Sequence, residues 1–186
     1  MRNHEVTEAQ PLLDESGKIK EPGWARNPVW EYNSNRITAP QFRIKEWDYY
    51  LVMNEEYAAA FTISDNGYIG LQSVSLLNFR EKWEHTETIL TPFPMGKMKM
   101  PASSSEGNAA YRDKRLRMEF KVEDGKRMIS CDFKEFCEGK PFFCEITLEQ
   151  PPMDSIVMAT PWSGKNAFYY NQKINCMKAE GYMSYD

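Results

Sequence analysis

Two carboxylates, Glu46 and Asp48, stand two residues apart in a run rich in aromatic and β-branched side chains. On a β-strand such a pair points to one face, roughly 7 Å apart, and shares it with Ile44, Tyr50 and Val52. If that face is interior, burial raises a carboxyl pKa and the pair could do acid–base work. If it projects into water, the two are ordinary surface charges, which is the commoner arrangement. His85 lies beside Trp83 and Glu84, just before Thr91-Pro92-Phe93-Pro94. A lone histidine among aromatics is more often a hydrogen-bonded structural group than a catalyst. The chain holds only 2 histidines, too few to assemble a Ser–His–Asp set with conviction. Gly67 and Gly70 sit in a hairpin rather than before a helix, so no phosphate cradle is expected. Cys131, Cys137 and Cys144 match no common zinc spacing, and with Cys176 they read as structural thiols. The residues therefore nominate no catalytic group, no metal site and no cofactor.

The elements that would position these residues are strands. The runs from Phe42 to Met53, Tyr57 to Ser64, Tyr68 to Phe79 and Glu84 to Leu90 are separated by Asn54-Glu55-Glu56, Asp65-Asn66-Gly67 and a polar break. Asn66-Gly67 is expected to supply the positive φ of a tight hairpin. The apolar register shifts between Leu71 and Val74, which predicts a bulge or bend. Leu116, Met118, Phe120 and Val122 alternate with charged residues, Asp124-Gly125 turns the chain, and Ile129, Cys131 and Phe133 mark the return. Gly139 turns it again into Phe142, Cys144, Ile146 and Leu148, a strand closed by Pro151-Pro152. Three more short runs, Ile156 to Thr160, Ala167 to Ile174 and Gly181 to Tyr185, bring the expectation to about nine or ten strands. No helical periodicity competes. Sequential hairpins with one dry face each predict an all-β antiparallel barrel or sandwich over residues 41–186. Residues 1–40, dense in turn formers yet bearing Trp24 and Trp30, are expected to form an extended segment laid over that domain. A long loop from Pro92 to Asn108 holds Met95, Met98 and Met100, read either as an adaptable lid or as packing across an open sheet end.

Composition narrows the partners. Aromatics reach 13%, which suits either a β core or an apolar binding cavity. A formal net charge of −4 argues against a phosphate-gripping nucleic-acid binder. The basic cluster Arg112, Lys114, Arg115 and Arg117 is interleaved with Asp113 and Glu119 and reads as a solvated strand edge. No stretch approaches the roughly 18 apolar residues of a membrane helix. The first ten residues lack the apolar core of an export signal, so a cytoplasmic setting with reduced thiols is expected.

Several strings then point one way. They are Gln10-Pro11-Leu12-Leu13 with Gly17, Pro22-Gly23-Trp24-Ala25-Arg26, Ile44 to Tyr50, Pro92-Phe93-Pro94-Met95-Gly96, Glu149 to Asp154, Ala159-Thr160-Pro161-Trp162 and Phe168 to Met177. In this order the chain resembles the bacterial family labelled domain of unknown function 2804. Met177-Lys178-Ala179-Glu180-Gly181 is also distantly similar to the midpoint of carotenoid 1,2-hydratase-type lipocalin-like proteins, where two barrel halves meet. That second likeness implies a lipocalin-like (calycin-like) half of a longer architecture, and it transfers no catalytic residue.

Three functions follow as expectations. The first is a module binding a small apolar or amphipathic ligand, with Trp47, Trp83, His85, Trp162, Tyr170 and Asn171 as the pocket, chosen for aromatic bodies with polar handles. The second is the N-terminal half of a hydratase- or cyclase-like enzyme on isoprenoid or lipid-like substrates, with Glu46, Asp48 and His85 as candidate acids. The third is an interaction domain whose open β edge meets a second domain or another copy.

Overall fold

The computed structural model describes residues 4–164 and 166–185. Among these, the strands in chain order are β1 (Gln10–Pro11), β2 (Gly23–Ala25), β3 (Trp30–Glu31), β4 (Glu46–Met53), β5 (Tyr57–Asp65), β6 (Ile69–Asn78) and β7 (Trp83–Pro92). They continue as β8 (Ala109–Arg112), β9 (Leu116–Glu123), β10 (Lys126–Cys137), β11 (Lys140–Glu149), β12 (Ile156–Pro161), β13 (Phe168–Lys173) and β14 (Lys178–Tyr185). The helical pieces are two 3-10 turns, Ser34–Arg36 and Gln41–Arg43, and no helix is long and apolar enough to cross a membrane. The protein is all-β, and none of its sheets closes into a barrel.

The chain divides into two compact units, one of Met1–Ala39, Ala102–Glu106 and Gln150–Met177, the other of Pro40–Pro101, Gly107–Glu149 and Lys178–Asp186. In the smaller unit, β12 pairs with β13 and with β2, while β1 and β3 form a short parallel pair. Leu12, Leu13, Trp30 and Ala25 share a core with Val157 and Ala159. The segment expected to be merely extended over residues 1–40 thus contributes strands to a core completed by residues far along the chain. Of its two tryptophans, Trp30 is fully buried and Trp24 half-buried.

The larger unit packs two antiparallel sheets face to face. One is the meander β4-β5-β6-β7, the other has the order β14-β11-β10-β9-β8. Tyr50 meets Phe120 edge-on at 4.8 Å and Phe61 meets Phe142 at 6.1 Å, so the dry faces read from the alternation do face each other. The tight Asp-Gly hairpin is present, with Asp124 and Gly125 both at positive φ between β9 and β10. The Asn66-Gly67 turn differs: only Gly67 is left-handed, and a Cβ there would lie 2.5 Å from the Gln41 carbonyl oxygen. Glycine is needed for close approach as well as for φ.

One further expectation needs correction. The predicted bulge in β6 is absent, since its pairing with β5 and β7 is continuous. The apolar pattern breaks because Gln72 takes an inward position, fully buried, where its amide donates to the Ser64 carbonyl and accepts from the Thr91 hydroxyl. The real irregularity lies in β10, where register slips between Phe133 and Cys137. That slip lets Phe133, Phe136 and Cys137 all turn inward. The loop after β7, read as an adaptable lid or as packing, is tied down at its start: the Asp65 carboxylate accepts from the backbone N–H of Gly67, Gly96 and Met98.

Candidate functional site

The strand turns place a recess at one end of the larger unit. Tyr57, Asn78 and Trp83 lie in one cross-strand row beside the β4–β5 and β6–β7 connections. The β10–β11 hairpin faces them, with Glu138 and Gly139 both left-handed at the turn, and the end of β14 completes the wall. The result is an open cleft of about 640 Å³. Its apolar lining is Tyr57, Leu76, Trp83, Cys137, Phe142, Met183 and Tyr185, and its polar lining is Asn78, Glu81, Glu138 and Ser184.

The aromatic wall is ordered by stacking. Trp83 lies 5.7 Å from Tyr185 at 21°, and 6.4 Å from the His85 ring at 16°. Phe136 meets His85 and Tyr185 edge-on from behind. The ammonium of Lys140 sits 5.4 Å from the centre of the Tyr185 ring. A hydrogen bond with the Cys137 side chain, aided by desolvation and by nearby negative charge, pushes the Tyr185 phenol up to about 12.

His85 is a pin at the back of this wall. Its Nε2 lies 2.9 Å from the Phe136 carbonyl oxygen, so Nε2 donates there and anchors the slipped stretch of β10 to β7. Glu87 beyond it pairs with Arg115 at 2.6 Å.

A second polar cluster occupies the inner face toward the other end of β4. Glu46, Asp48, Tyr50 and Val52 do share one face, and it is the face turned to the second sheet. Arg127, only 4% exposed, donates to the Tyr50 hydroxyl at 3.1 Å. Burial raises the Asp48 carboxyl pKa, with the Arg127 charge pulling the other way. Burial likewise raises Tyr50, with the Asp48 charge adding to it. Asp48 and His85 are not brought together. Four residues along a strand and three strands across separate their rows, a distance on the order of 20 Å.

Of the six nominated pocket residues, only Trp83 and His85 come together, and Trp83 alone lines the cleft. Trp47 is on the outward face of β4, 44% exposed. The other three belong to the smaller unit. Trp162 is 61% exposed and stacks on Tyr169. Tyr170 donates its hydroxyl to the Trp30 carbonyl at 3.1 Å, tying β13 to β3. The Asn171 side-chain oxygen is buried with no hydrogen-bond partner among the described residues. Sequence reasoning missed Tyr57, Phe142 and Tyr185. The first two flank turns that were recognised, and an aromatic beside a turn was the available signal. Tyr185 had none.

The sequence profile of one family matches residues 3–186. The chain belongs to the family described as domain of unknown function DUF2804. No curated protein and no solved structure matches this DUF2804 chain. Among its described residues, no group of three His, Cys, Asp or Glu side chains is placed to hold a metal ion.

Proposed function

We propose that the protein binds a small amphipathic ligand in the Trp83 cleft. The observation that carries this reading is the recess itself: about 640 Å³, with a stacked aromatic wall and polar groups gathered at the rim. Ligand sites of this kind run about 300–1,000 Å³ and join apolar walls to a few placed polar groups. Acid chemistry on a lipid-like substrate has less support, because Asp48 and His85 lie far apart and His85 is committed to a backbone carbonyl.

The test is a fluorescence titration with N-phenyl-1-naphthylamine, a neutral apolar probe. Saturable binding is expected, weakened about tenfold by Trp83→Ala and unchanged by Trp162→Ala. No saturation, or equal binding by Trp83→Ala, would overturn the reading.

A second role as an interaction domain is favoured by one observation. β4 is an edge strand whose outward row Tyr49, Leu51 and Met53 is 53%, 47% and 61% exposed. Long apolar edges invite pairing by another chain. Sedimentation velocity should then show concentration-dependent association that Leu51→Lys abolishes; a monomer at every concentration sinks this role.

A further inference from the structure

The cleft's rim carries a chemical preference of its own. Glu81 and Glu138 both line it, and neither joins an ion pair among the described residues. The other lining groups are neutral, so the recess presents two carboxylates and no cation of its own. Trp83 and Tyr185 line the same recess, with their rings stacked on each other. An aromatic face has a negative quadrupole and attracts an ammonium, and the attraction grows as water is excluded.

The protein supplies a demonstration. Lys140, an exposed residue at the start of β11, lays its ammonium over the Tyr185 ring at 5.4 Å. Lys140 is itself absent from the cleft lining, so its charge reaches the wall from the side. An ammonium beside the Tyr185 ring is thus already part of the structure, and its charge bears on any second cation in the adjoining recess.

Resting on the ligand-binding reading above, we infer that the cleft selects an organic cation: an ammonium head held by Glu81, Glu138 and the Trp83–Tyr185 wall, with an apolar tail over Tyr57 and Met183. Lys140 opposes such a ligand by like charge from beside the recess. This yields an uncommon expectation, namely that deleting a side chain tightens binding.

The experiment compares decyltrimethylammonium with decyl sulfate, two probes with one tail and opposite heads, by isothermal titration at low salt. The ammonium should bind about tenfold more tightly. Lys140→Met should tighten the ammonium several-fold, and Glu81→Gln with Glu138→Gln should weaken it about tenfold, with circular dichroism unchanged. These are surface substitutions, so a folding defect would show in the spectrum, and the Lys140→Met gain cannot come from misfolding. Equal or tighter sulfate binding, or no gain in Lys140→Met, would overturn the inference. If the neutral naphthylamine still binds in a Trp83-dependent way, only the cation preference falls. If none of the three probes binds, the cleft reading falls with it.

Discussion

The two ends of the larger unit finish the same sandwich in opposite ways. At the Arg127 end the layer between the sheets closes on a buried guanidinium hydrogen-bonded to a buried phenol, with the half-buried Asp48 carboxyl within reach of the guanidinium's charge. At the Trp83 end the sheets part around an open cleft, and the charged groups stay at its rim. A buried charge must be satisfied from within, which leaves it little freedom to meet a ligand. A rim charge in water costs little to keep and is available to a partner. The contrast explains why the acidic pair most suggestive of chemistry in the sequence is the less promising site in the fold.

Substitutions sharpen that contrast. Phe136 backs the cleft and touches Phe133, Phe142, His85 and Tyr185, so Phe136→Ala should cost about 3–5 kcal/mol in urea unfolding and also blunt probe binding. At the other end, Arg127→Met leaves the Tyr50 hydroxyl and Asp48 without their cation. A loss of about 3 kcal/mol is expected, with probe binding intact. If Arg127→Met abolished binding as fully as Phe136→Ala, the two ends would not be separable.

The smallest effect is a pH dependence. The Asp48 pKa is raised in the folded protein, so folding holds that proton more tightly than the unfolded chain does. Its contribution is full below the ordinary carboxyl value and is lost as pH rises through the raised one. Asp48→Asn carries no such proton, so the variant should gain on the wild type in unfolding free energy as pH rises above the ordinary carboxyl value of about 4. A difference that stays flat, or runs the other way, would mean that the Arg127 charge outweighs burial.

Much of this was legible before any coordinates. The period-2 alternation of β9, β10 and β11 gave both their existence and their dry faces. The same rule put Glu46, Asp48 and Tyr50 on one face. Gln72 shows where the rule ends: a polar residue on a dry face reads as a bulge unless its partners, Ser64 and Thr91, are known. The short strands β1, β2 and β3 were hidden by turn formers, because their pairing and burial come from residues far along the chain.

Local sequence determined which residues face inward, since successive side chains on a strand must alternate whatever the strand packs against. It also determined the family, through strings spread over nearly the whole chain. Only the tertiary structure decided what each inward residue meets. Tyr50 finds Arg127 from 77 residues away, and His85 finds the Phe136 carbonyl from 51. Such meetings depend on how two sheets stack and where a strand slips, and neither is written in the spacing of either partner. The cleft is of that kind: its walls come from four separate stretches, joined only when the sheets close on each other.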